Sequence, residues 1–127
     1  MQEDKLYHYA AIRLVPKVER EEFFNVGLIL FSKEENYIQL AYNLCPEKFR
    51  LMQPEASYEE VLENLETLRC IAAGEVRCGP IAALPIPERF RWLTATRSSI
   101  IQTSPTHPGK CSDLEKTFQR LFELLVM

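Results

Sequence analysis

Polar and apolar residues alternate over residues 6–15, where Tyr7, Tyr9, Ala11, Arg13 and Val15 oppose Leu6, His8, Ala10, Ile12 and Leu14. This period of two, rich in aromatic and β-branched side chains, predicts a first strand. Pro16 has no amide hydrogen to donate and ends its ladder. After a charged turn, residues 26–31 form an unbroken apolar run between Asn25 and the polar stretch Ser32-Lys33-Glu34-Glu35-Asn36. Such a run suits a central strand covered on both faces, and Gly27 inside it marks a bulge or the close approach of another backbone. Residues 37–42 alternate again, so the three strands predict an antiparallel meander.

The period then changes. Pro46 suits a first helical position, and Phe49 and Met52 share one face of a short segment that breaks at Gln53-Pro54. Ser57-Tyr58-Glu59-Glu60 reads as a capping box ahead of Val61, Leu62, Leu65, Leu68 and Ala72 at helical spacing, with Gly74 as the stop. Glu59, Glu63 and Glu66 fall on the other side, as a solvated face. Residues 75–84 have room for a strand around Val76 or Ile81, but Gly79-Pro80 and Pro85-Ile86-Pro87 interrupt the pattern. Residues 99–103 read as a fourth strand beside the meander, and residues 104–109 as a loop. Ser112-Asp113-Leu114-Glu115 is a second capping box; Leu114, Phe118, Leu121, Phe122 and Leu125 then form the apolar stripe of a helix expected to lie on the sheet. Each such side chain contributes about 1.5–3 kcal/mol on burial, before ordering entropy. The pattern predicts an α+β fold in a single domain over residues 1–127: an antiparallel sheet of about four strands with helices packed on one face.

Composition narrows the function more than the fold. A chain of 127 residues, 46% hydrophobic and 26% charged, is long enough for one globular core. Its net charge of -3 offers no global attraction to nucleic acid or anionic lipid. The charged start Met-Gln-Glu-Asp-Lys leads straight into the first strand, without the apolar core of a signal or a bilayer-spanning run, and a cytoplasmic protein is expected. Cys45, Cys70, Cys78 and Cys111 are widely separated and read as reduced thiols that bind no metal, since zinc wants two close pairs and the sequence offers His107 with Cys111 alone. No cofactor is expected: there is no Gly-x-x-x-x-Gly-Lys loop, no Gly-x-Gly-x-x-Gly, no His-Glu-x-x-His and no nucleophile elbow.

Candidate chemistry gathers around arginine. Arg89, Arg91 and Arg97 come late, with Ser98, Ser99, Thr103 and His107 close behind, while Arg13 and Arg20 belong to the first hairpin. Guanidinium forks and hydroxyls are donors for carboxylate or phosphate, and Arg13, Arg20, Arg97, Ser98 and Ser99 meet at one end of the sheet if the first and fourth strands are neighbours. The plainer alternative pairs these arginines with Glu21, Glu22 and Glu88 on the surface. A nucleophile would be Ser98, Ser99 or Cys111 beside His8 or His107, and no spacing supports one. Arg89-Phe90-Arg91-Trp92 interleaves cations and aromatics as single-strand nucleic-acid binders do, or else supplies core residues.

Tyr9-Ala10-Ala11-Ile12-Arg13-Leu14-Val15-Pro16, the run from Arg20 to Leu30 and the late Arg97-Ser98-Ser99 together resemble a small bacterial family catalogued as domain of unknown function 3037. The resemblance covers nearly the whole chain and brings no catalytic residue. Its matching polar positions are Arg13, Arg20, Glu22, Asn25, Arg97 and Ser99. Members look like companions of separate proteins resembling HipA-type Ser/Thr kinases, which implies an accessory subunit with a HipA-like kinase as its protein partner. The expected function is thus a non-enzymatic interaction or regulatory module, with Arg13, Arg20, Glu22, Asn25, Arg97, Ser98 and Ser99 as candidate contacts. One alternative is a small enzyme or ligand-binding protein taking an anionic substrate in an arginine-rich pocket. Another is single-stranded nucleic-acid binding.

Overall fold

The strand read first in the sequence is the hub of the sheet. The computed structural model describes residues 4–16, 22–95 and 100–127. β1 (Lys5–Leu14), β2 (Phe24–Ser32) and β3 (Tyr37–Tyr42) form the antiparallel meander. The far edge of β1 carries two short strands: β4 (Ile101–Thr103) opposite residues 12–14 and β5 (His107–Cys111) opposite residues 5–9. The sheet therefore has five strands in place of the expected four or so, and the expected loop of residues 104–109 supplies the start of β5. Composition hid it: Pro108 and Gly109 read as turn, but an outer strand tolerates a missing amide on its free side. Where β4 and β5 part, the Ser104 hydroxyl accepts the Ala11 amide at 2.9 Å and the Ser104 amide donates to the Ala11 carbonyl at 2.8 Å. The backbone of β1 stays satisfied across the gap.

Helices cover both faces of the sheet, which corrects the one-face expectation. α1 (Pro46–Leu51), α2 (Tyr58–Ala73) and α3 (Ile86–Leu93) enclose a core with Ala10, Ile12 and Leu14 of β1 and Val26, Ile29 and Phe31 of β2. On the opposite face α4 (Leu114–Leu125) lays Leu114, Phe118 and Leu121 over Tyr7, Leu28 and Leu30. β2 is apolar throughout residues 26–31 because each of its faces meets a helical layer.

Local chemistry explains the helix ends. The Ser57 side chain accepts the Glu60 amide at 3.1 Å, and Gly74, at φ 75°, closes α2 in the left-handed conformation. Pro85-Ile86-Pro87 opens α3, since a proline in the first turn removes only an amide that has no helical partner. No strand forms around Val76 or Ile81: 3₁₀ turns span Val76–Cys78 and Pro80–Ala83, parted by Gly79 at φ 96°. At α4 the cap is Asp113, one residue later than the sequence box, and accepts the Lys116 amide at 3.0 Å. Glu115 instead accepts the Tyr37 hydroxyl at 3.2 Å, tying β3 to α4.

The cysteines depart from expectation as well. Cys70, on the last turns of α2, is disulfide-bonded to Cys78, with Cα atoms 6.1 Å apart, while Cys45 and Cys111 are free. The Gly74 turn folds the chain back on α2 and brings the two together, a proximity that an eight-residue separation does not announce.

Candidate functional site

A bulge positions the site. The register of β1 and β2 shifts between Ile12, opposite Gly27, and Arg13, opposite Asn25. Strict alternation back from Ile29 would put Asn25 in the apolar layer under α2; the extra residue returns it to the α4 face, beside Arg13. Gly27 permits this because a side chain there would come within 2.9 Å of the Ala41 carbonyl oxygen and 3.2 Å of Ile12 Cδ1. Both sequence readings of Gly27, bulge and close backbone, hold.

α4 leaves this end of the sheet open. Its 12 residues make about 18 Å of helix, against about 33 Å for the 10 residues of β1. Beyond Leu125 there is a cavity of about 150 Å³ with Tyr9 and Ala11 as its floor and Arg13, Phe23, Asn25, Ser104 and His107 around it. Asn25 Nδ2 donates to the Leu125 carbonyl at 3.1 Å, satisfying one of the orphan acceptors at the helix end.

Two polar atoms of the residues that line this cavity are buried without a hydrogen-bond partner: Arg13 Nε, a donor, and Asn25 Oδ1, an acceptor. Nearly all buried polar atoms in folded proteins are paired, so this couple makes the cavity a candidate site. The Arg13 guanidinium carbon lies 4.0 Å from the centroid of the Phe23 ring, which holds it flat by cation–π attraction. Among the described residues no carboxylate forms an ion pair with Arg13. The α4 C-terminus adds about half a negative charge beside it.

Arg20, Arg97, Ser98 and Ser99 lie outside the described residues, and Glu22 is exposed at the start of the segment leading into β2. Among the described residues Arg89 forms no ion pair with Glu88, and its Nε is buried without a partner. Its Nη1 donates to the Ala72 and Ile71 carbonyls at 3.0 and 3.4 Å, capping the C-terminus of α2. Phe90 is buried and stacks on Phe31 at 4.7 Å, which removes it as a platform for bases. The Ser104 hydroxyl is already committed, accepting from Ala11 and donating to the Pro105 carbonyl at 2.9 Å. His107 lies opposite Tyr9 and Cys111 opposite Lys5 on the same strand, about 13 Å apart along it, too far to share a metal or act as a nucleophile and base. Sequence reasoning gave no role to Phe23 or Ser104, because neither belongs to a pattern of period two or 3.6.

A second polar assembly lies on α2. Glu66, expected only to be solvated, accepts from the Tyr42 hydroxyl at 2.7 Å and from Arg69 Nη2 at 2.7 Å, while Glu75 joins Arg69 at 3.4 Å and Arg77 at 2.8 Å. The Arg69 bonds, then the Tyr42 bond, hold the Glu66 carboxyl down at about 2; burial and the Glu66 carboxylate push Tyr42 up to about 12. A concavity of about 510 Å³ opens beside this assembly, larger than the Arg13 cavity; of its lining groups Tyr42, Glu66 and Arg77 are engaged in these bonds, while Glu59 and Glu63 add further carboxylates to its wall. Among the described residues no helix is long and apolar enough to cross a membrane.

The family model described as "Protein of unknown function (DUF3037)" matches residues 9–126. No curated protein and no solved structure matches the chain.

Proposed function

The chain belongs to the DUF3037 family, and from the Arg13 cavity we propose that it is a binding module which seats a carboxylate of a partner protein between Arg13 and Asn25. The observation that carries this reading is the pair of unsatisfied atoms, Arg13 Nε and Asn25 Oδ1, on two residues that line one cavity. A carboxylate accepts from the guanidinium, and an adjacent N–H of the partner's backbone donates to Asn25. Size favours a protein partner over a small-molecule substrate: about 150 Å³ accommodates a carboxylate and its neighbouring atoms, whereas ligand sites commonly exceed about 300 Å³. The partner implied by the family resemblance is a HipA-like Ser/Thr kinase, with this chain as its accessory subunit.

The reading is tested by titrating isotopically labelled protein with acetate and with an N-acetylated amino acid, following amide shifts by NMR. Saturable shifts at Arg13, Asn25 and Ser104, stronger for the amino acid, are expected; Arg13→Ala should abolish them and Arg13→Lys restore them in part, because an ammonium lacks the planar fork. Equal, non-saturating shifts in wild type and Arg13→Ala would overturn it. Co-expression with a HipA-like kinase and capture of the wild type, but not of Arg13→Ala, tests the partner.

A further inference from the structure

The disulfide on α2 lies apart from the Arg13 cavity and has features that a purely structural cross-link does not need. Cys70 is 1% exposed, whereas Cys78 is half-buried, and both line the concavity of about 510 Å³. Glu75 Oε2 lies 3.1 Å from Cys70 Sγ, in position to accept a thiol hydrogen bond there. The segment that the bond fastens to α2, residues 75–84, fully buries only the Ala82 side chain; Cys78 and Ile81 pack part-buried against the core, and Glu75 is tied to α2 through Arg69 and the Cys70 carbonyl.

We propose that Cys70–Cys78 is a thiol–disulfide exchange site that takes a dithiol as its substrate. The thiolate of the dithiol attacks Cys78 Sγ, the more accessible sulfur; the Cys70–Cys78 bond breaks, and Cys70 leaves as a thiolate. Cys70 takes up a proton from solvent and its S–H then donates to Glu75. The second thiolate of the substrate attacks its own mixed-disulfide sulfur and releases Cys78, which is protonated in turn. Two electrons and two protons pass from the substrate, which becomes a disulfide, to the protein, which becomes a dithiol. Glu59, Glu63 and Glu66 on the concavity wall disfavour an anionic thiol such as glutathione and favour a neutral dithiol.

The same three donors, Cys70, Glu75 and Cys78, lie within 4.8 Å of one another, close enough to suggest a metal. Charge argues against it. Arg69 and Arg77 both hold Glu75, so a cation bound there would face two guanidiniums.

The test is thiol counting by alkylation and peptide mass mapping on the folded protein. After incubation with oxidised dithiothreitol, Cys45 and Cys111 alone should react; after reduced dithiothreitol, or a reduced thioredoxin-type protein, Cys70 and Cys78 should react as well, with circular dichroism unchanged. Glutathione at equal thiol concentration should act at least tenfold more slowly. Faster reduction by the protein dithiol would identify a protein substrate, and reduction by dithiothreitol alone a small one. Failure of both dithiols without denaturant would make the bond structural and overturn the proposal. So would four reactive cysteines after oxidation, or stoichiometric zinc in the reduced protein.

Discussion

Arg13 of β1 and Asn25 of β2 are direct partners across the sheet, and they face the same cavity only because one extra residue precedes Gly27. Gly27→Ala should therefore act on both stability and the site. Its methyl group would press on the Ala41 carbonyl oxygen and on Ile12, neither of which can withdraw without moving a strand. A loss of about 1–3 kcal/mol is expected from urea unfolding, with altered amide shifts at Arg13 and Asn25. An unchanged midpoint would mean that the close approach is relieved at no cost.

α4 is expected to depend on packing more than on its cap. Phe118→Ala empties a site that is 3% exposed and should cost about 3–5 kcal/mol, whereas Asp113→Ala loses one cap bond and should cost about 1 kcal/mol. Ser112→Ala should be near neutral, since Asp113 occupies the capping position. Denaturant midpoints of the three variants give the order, and Ser112→Ala falling below Asp113→Ala would reassign the cap.

Glu66 supplies a pH dependence with a definite sign. Its folded pKa of about 2 lies below the ordinary value of 4.5, so its contribution is present above about pH 4.5 and is lost as the pH falls toward 2. Glu66→Gln should flatten that limb of a stability–pH profile measured by thermal unfolding. The amplitude should be modest, because the Glu66 side chain is 41% exposed and screened by solvent. An unaltered slope between pH 4.5 and 2 would show that other carboxylates govern acid unfolding.

Arg89 should behave as a structural arginine. Arg89→Ala removes its bonds to the Ile71 and Ala72 carbonyls and is expected to cost about 1–3 kcal/mol, while leaving carboxylate binding at Arg13 intact. NMR titration with an N-acetylated amino acid, alongside urea unfolding, separates the two effects. A variant of normal stability with weakened binding would contradict this assignment.

The sequence by itself determined the elements whose signals are local. The period of two set β1 and β3, the Ser57 box and Gly74 set the ends of α2, and the apolar stripe set α4, because backbone geometry reads residues only a few positions apart. It also carried the clue to a second helical layer, since a strand apolar on both faces, as β2 is, needs cover on both. The stripe of α4 shows that a face must be buried, but not against which side of the sheet. Other relationships required the tertiary structure. β5 is a strand only because β1 offers it an edge, Arg89 caps a helix 17 residues away in sequence, and Cys70 meets Cys78 only once the Gly74 turn has closed. The candidate cavity was legible only in its parts: Arg13 and Asn25 stand out as polar residues, yet their meeting depends on a one-residue slip in register. Such a slip is decided by the packing of Ile12 against Gly27 and Ala41, contacts between strands that the sequence order keeps apart.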